Sequence, residues 1–122
     1  MAGKDILIVD DSLDLQSLLE SVLIREGYAA HCVSSGREAL EWLRAASTLP
    51  DLILLDLMMP DIDGYEFREL QAKDSRLASI PVIVMTADVD AVAILKHTRA
   101  QGLLNKPFLN IDSILHAVRR FI

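Results

Sequence analysis

Three aspartates, a threonine and a lysine stand out because each sits at the end of a short apolar run. Asp10 and Asp11 follow Ile6-Leu7-Ile8-Val9, Asp56 follows Leu52-Ile53-Leu54-Leu55, Thr86 follows Pro81-Val82-Ile83-Val84-Met85, and Lys106 and Pro107 follow residues 102–105. If these runs are strands of one parallel sheet, their carboxyl ends line a common crevice. Three carboxylates at about 4 Å repel by roughly 1 to 4 kcal/mol per pair, so a cation must accompany them. An all-oxygen donor set without cysteine or clustered histidine selects a hard ion. An incomplete cage with room for water and a phosphoryl oxygen suits Mg²⁺ better than Ca²⁺. An EF-hand does not account for the acids, because its ligands recur along a single loop of about twelve residues. A carboxylate is also a competent covalent nucleophile.

The elements that must hold these groups are legible from hydrophobic patterning. Runs 6–9, 52–55 and 81–85 are continuously apolar and rich in β-branched residues, the pattern of strands buried on both faces of a parallel sheet. Residues 29–33 and 102–105 are weaker candidates that complete five strands. Leu15, Leu18, Leu19, Val22 and Leu23 repeat at helical spacing after a cap at Asp11 or Ser12, and Gly27 supplies a stop. Helices are also expected over 37–46, 64–73 and 90–100. A last one follows Asn110 as N-cap, with Ile111, Ile114, Leu115, Val118 and Ile122 on one face. Strand and helix alternate five times, which calls for right-handed crossovers and a doubly wound α/β sheet.

The 122 residues suffice for one domain, residues 1–122, and 52% hydrophobic content supplies its core. Twelve basic against eighteen acidic side chains leave −6, a balance unsuited to direct nucleic-acid binding or an anionic membrane. The charge is uneven: residues 1–87 hold 7 basic and 15 acidic side chains (−8), residues 88–122 hold 5 and 3 (+2). Cys32 is the only cysteine, which excludes an intrachain disulfide and fits a cytoplasmic protein. Near the N-terminus the longest apolar run has four residues, too few for a signal segment or a membrane span.

The segments ILIVDDS, LILLDLMMPDIDG, IPVIVMTA and NKPF, in this order, resemble those of the response-regulator receiver domain, the CheY-like phosphoacceptor module of two-component signalling. The similarity covers essentially the whole chain. It implies a flavodoxin-like fold of five strands and five helices, and it implies that Asp56 accepts a phosphoryl group from a histidine kinase or histidine phosphotransfer protein. It further implies that Asp10, Asp11, Asp56 and the main-chain carbonyl of Met58 hold Mg²⁺, that Thr86 is a switch hydroxyl, and that Lys106 pairs with the phosphoryl oxygens. A cis bond between Lys106 and Pro107 is part of the same expectation.

Alternatives remain beside this reading. A Mg²⁺-dependent hydrolase with an aspartyl-phosphate intermediate also uses a strand-end aspartate, but its customary second acid two residues later is here Met58. A flavodoxin-like FMN protein needs amides and hydroxyls where Asp10 and Asp11 stand. A receiver-like scaffold that works without phosphorylation is the third alternative. Asp61, Asp63 and Gly64 read as a turn and helix cap. His31 and Cys32 face opposite sides of a strand, His97 and His116 carry no phosphotransfer role, and Trp42 belongs to the core edge.

Two departures from the family pattern bear on output. Leu103 stands where the family often has a switching aromatic, and the stretch from Thr86 to Lys106 is about two residues short, roughly half a helical turn. Val89, Ala91, Val92, Ala93, Ile94 and Leu95 occupy nearly every angular position of the fourth helix, which is either sunk into the core or exposes an apolar surface. Residues 87–106 are therefore the expected surface for a downstream protein or for self-association.

Overall fold

The computed structural model of the chain describes residues 4–87, 90–106 and 111–122. Strands and helices alternate throughout: β1 (Asp5–Val9), α1 (Leu13–Arg25), β2 (Ala29–Val33), α2 (Gly36–Ala45), β3 (Leu52–Asp56), α3 (Gly64–Lys73), β4 (Val82–Thr86), α4 (Ala91–Thr98), β5 (Gly102–Asn105) and α5 (Ile111–Arg119). The five strands form one parallel sheet ordered β2-β1-β3-β4-β5. The order reverses between β1 and β3, so the chain leaves these neighbours toward opposite faces and opens a crevice at their carboxyl ends.

Alternation along each strand divides the core in two. Leu7, Val9, Ile53, Leu55, Val82 and Val84 pack under α2, α3 and α4, with Ala39, Leu43, Phe67 and Ile94. Ile6, Ile8, Leu52, Leu54, Ile83 and Met85 face α1 and α5, with Leu19, Leu23, Leu115 and Val118. Each fully buried aliphatic side chain contributes about 1.5 to 3 kcal/mol relative to exposure. The central strands β3 and β4 are buried along their entire length. The edge strand β2 exposes Ala29 and His31, which explains its weaker sequence signal.

Side-chain caps begin the helices where the chain leaves each strand. Ser12, Ser35, Asp63 and Asp90 accept the N–H of Leu15, Glu38, Glu66 and Ala93 at 3.3, 3.1, 2.9 and 3.1 Å. Ser12, and not Asp11, is thus the cap of α1, leaving Asp11 to the turn. Gly27 takes φ +93° behind that helix, as a C-terminal stop requires.

Several expectations shift. Leu18 and Ile111 are 45% and 47% exposed, because each lies at the margin of its helix's apolar stripe and the sheet reaches only the stripe's centre. Ile122 lies past the end of α5, where its N–H donates to the Val118 carbonyl at 3.2 Å and its side chain still packs on the core. Helix α4 stops at Thr98 because Arg99 turns left-handed, with φ 55°. It is not sunk into the core: Ile94 is buried, but Val92 is 79% exposed. Asn110, Val89 and the Lys106–Pro107 bond lie outside the described residues.

Candidate functional site

The β1, β3 and β5 termini bring Asp10, Asp11, Asp56 and Lys106 together. Asp10 follows the last residue of β1 and is fully buried; its Oδ1 accepts the Ser12 N–H at 2.9 Å and its Oδ2 pairs with Lys106 Nζ at 2.9 Å. Asp56 ends β3 and is 4% exposed, with Oδ1 3.4 Å from Lys106 Nζ and 3.2 Å from the donating Met58 N–H. Asp11 is exposed in the β1–α1 turn. One carboxylate oxygen from each of Asp10, Asp11 and Asp56 lies within 4.8 Å of the others.

Burial raises the Asp56 carboxyl above its ordinary range, the Asp10 charge pushes the same way, and Lys106 and the Met58 N–H partly oppose both. Among the described residues Lys106 is the only cation paired with Asp10 or Asp56. One ammonium against three close carboxylates leaves a net negative pocket. These hard oxygen donors, close enough to share one ion, fit Mg²⁺.

Backbone packing keeps Asp56 in place. The Gly64 N–H donates to the Leu57 carbonyl at 3.0 Å, closing the loop behind Asp56. A Cβ at Gly64 would lie 2.6 Å from Leu57 Cα and 2.9 Å from the Asp56 carbonyl oxygen, so only glycine lets α3 begin this close to β3. Thr86 is buried at the end of β4, and its carbonyl accepts the Lys106 N–H at 2.8 Å. That bond ties the β4 and β5 ends together beside Asp56. Met58 is 74% exposed at the rim.

The other polar candidates are structural. Asp63 caps α3, while Asp61 takes φ 66° in the turn and pairs with Arg37 at 2.8 Å, which lowers its carboxyl pKa. His31 stacks on Trp42 at the edge of the α2 side, and Cys32 faces α1. His97 meets Tyr65 edge-on, far in sequence from the acidic cluster. Sequence reading missed Gln16, whose side-chain amide lies 2.6 Å from the Asp10 carbonyl, 3.2 Å from the Val33 carbonyl and 3.1 Å from Ser34 Oγ. The sequence places two polar residues, Gln16 and Ser17, between Leu15 and Leu19, and nothing in it singles out the half-buried Gln16.

An acidic pocket at the switch point of a β2-β1-β3-β4-β5 parallel sheet is the arrangement expected of a signalling receiver. The chain belongs to the response regulator receiver domain family, whose sequence profile matches residues 6–119. It is 35% identical over 125 residues to sporulation initiation phosphotransferase F of Bacillus subtilis (strain 168), a similarity covering 100% of this chain and 96% of that protein. Other relatives are longer, and the chain spans 44% of one and 24% of another. A solved chemotaxis response regulator of Vibrio cholerae superposes with TM-score 0.90 at 28% identity, covering 99% of this chain and 100% of that one. The receiver domain of a sensor histidine kinase from Pseudomonas aeruginosa PAO1, solved with a magnesium ion coordinated in its active-site cleft, gives TM-score 0.87 at 25% identity over 98% of each chain. The protein is thus a phosphorylation-switch module of the two-component and phosphorelay class. Among the described residues no helix is long and apolar enough to cross a membrane.

Proposed function

We propose that Asp56 is the phosphoacceptor of this receiver, taking the phosphoryl group from the imidazole of a histidine kinase or histidine phosphotransfer protein. The observation that carries this is the placement of the Asp56 carboxylate, nearly buried and 3.4 Å from Lys106 Nζ, beside two further acids. A P–O bond to Asp56 forms as the donor's P–N bond breaks, with the bonding pair returning to the imidazole nitrogen. Lys106 neutralises charge on the transferred oxygens, and the Met58 N–H holds the Asp56 carboxylate in orientation. Asp10, Asp11, Asp56 and the main-chain carbonyl of Met58 would hold Mg²⁺, which supplies charge neutralisation when bound. Thr86 is the switch hydroxyl that hydrogen-bonds the new phosphoryl group.

In this reading residues 1–122 work as one receiver domain in the cytoplasm, and its only chemistry is its own phosphorylation and dephosphorylation. Output runs through residues 87–106 to a downstream protein or a second copy of the chain. The Lys106–Thr86 main-chain bond already joins the ends of that segment. Charge arriving at Asp56 therefore shifts what lies between, where Val92 projects into solvent. Leu103, half-buried on the core beside α4, responds less than an aromatic would.

Incubation with acetyl phosphate or phosphoramidate and Mg²⁺ tests the assignment. Intact-mass measurement is expected to show a single added phosphoryl group, absent from Asp56→Asn. Equal labelling of that variant would sink the proposal.

A further inference from the structure

Asp11 is the least supported member of the acidic cluster. Asp10 is held through its side chain by the Ser12 N–H and Lys106, and Asp56 by Lys106 and the Met58 N–H. Among the described residues no hydrogen bond or ion pair fixes the Asp11 carboxylate, so its position depends on the β1–α1 turn. Asp10 and Asp11 share one peptide unit. Whatever holds the Asp10 carbonyl oxygen therefore sets the plane from which the Asp11 side chain departs.

Gln16 holds that oxygen. It lies one turn into α1, where its own N–H donates to the Ser12 carbonyl at 3.0 Å, and side chains of a helix lean back toward its N-terminus. Its amide thereby reaches the Asp10 carbonyl at 2.6 Å and spreads its two protons over Val33 and Ser34 as well. The Val33 carbonyl has a second donor, the Asp10 N–H at 3.2 Å. Gln16 thus joins the ends of β1 and β2 from above, at the one acidic turn of the cluster whose side chains do not fully secure it.

Resting on the reading of the cluster as a Mg²⁺ site, we propose that Gln16 is a positioning residue for that site, acting through Asp11 without touching the ion. Partners that orient metal ligands from outside the ligand set change affinity by about 10- to 100-fold when removed. Gln16→Met keeps the length and bulk of the side chain and removes its polar atoms. We expect it to weaken Mg²⁺ about tenfold.

The test is a double-mutant cycle on the full chain, with Mg²⁺ affinity taken from calorimetric titration and from the shift in melting temperature. If Gln16 acts through Asp11, Gln16→Met costs about tenfold beside Asp11 but less than about twofold in an Asp11→Asn background, the limit expected for uncoupled sites. An equal factor in both backgrounds would make Gln16 a general brace and overturn the proposal, as would wild-type affinity in Gln16→Met. Gln16→Asn, whose shorter side chain withdraws the amide from Asp10, should reproduce the cycle and replaces Gln16→Met if that variant does not fold. Absence of any Mg²⁺ response in the wild type would overturn the metal reading itself and this proposal with it.

Discussion

Two buried polar clusters among the described residues are built on opposite electrostatic terms. At the carboxyl ends of β1 and β3, Asp10 and Asp56 share a single lysine, and the Asp56 carboxyl is pushed upward. On α3, Arg68 is buried and among the described residues has no carboxylate partner, yet its charge is met by oxygen: Nε donates to the Thr98 carbonyl at 2.9 Å, Nη1 to Gln71 Oε1 at 2.6 Å and Nη2 to the Arg99 carbonyl at 3.0 Å. Those carbonyls close the C-terminus of α4, where the helix dipole is negative. Gln71 in turn donates to Leu77 and Ile80. One cluster is short of positive charge, as the proposed metal and phosphoryl chemistry requires. The other is complete and holds α4 in place.

The largest expected effect comes from the complete cluster. Arg68→Met strands the Thr98 and Arg99 carbonyls and one Gln71 oxygen, so we expect a loss on the order of 2 to 3 kcal/mol in urea unfolding. Faster amide exchange at residues 99–101 should accompany it, while Asp56 still becomes phosphorylated. A loss within about 0.5 kcal/mol would place Arg68 among ordinary surface residues and remove the contrast.

The acidic cluster should respond with the opposite sign. Asp56 has a folded pKa above its unfolded value of about 3.9, so its stabilising contribution is fully present below that value and is lost as pH rises through the folded one. At neutral pH its ionised form therefore weakens the fold. Asp56→Asn should be more stable than the wild type by on the order of 1 kcal/mol there, the scale of one like-charge contact in a partly solvated site. The advantage should shrink in acid. Denaturation at neutral and acidic pH measures it, and a destabilised Asn variant at neutral pH would mean that Lys106 fully offsets the repulsion.

An effect of the same origin and similar size is expected from Mg²⁺. A cation binding only the folded chain stabilises it by mass action, roughly 1 kcal/mol at several times its Kd. The melting temperature should rise with Mg²⁺ and rise less in Asp11→Asn. An unmoved wild-type curve at high excess would leave the cluster without its metal role.

The comparison also shows which features a sequence can reveal. The acids were legible because each closes a run that is apolar on both faces, as in β3, whose five residues are all buried. Arg68 left no such trace, since its partners are two main-chain carbonyls and the neutral Gln71 side chain, and no opposite charge at helical spacing announces them. Gln16 was hidden for a related reason: its three acceptors lie at the ends of two strands, at residues 10 and 33–34, that become neighbours only when β1 and β2 pair. Hydrophobic period located the inner face of α1 but not its width, hence the misplaced Leu18.

Cys32 provides the finest test of how firmly α1 is pinned beside the acidic site. Its thiol donates to Glu20 Oε2 at 3.4 Å and approaches the Gln16 carbonyl at 3.8 Å. Burial first, and then the Glu20 hydrogen bond and charge, push its pKa up to about 12. The thiolate is the reactive form, so the folded protein should be alkylated by iodoacetamide at neutral pH far more slowly than the urea-unfolded chain. A free thiol ionises near pH 8.5, and with the folded value raised, this contribution to stability is intact below that pH and declines as alkali approaches the folded value. Labelling of the folded wild type at the unfolded rate would show that α1 lifts from β2. In Gln16→Met, an unchanged slow rate together with weakened Mg²⁺ binding would confine the damage to the β1–α1 turn, because the Glu20 contact one turn further along α1 still holds the helix against β2.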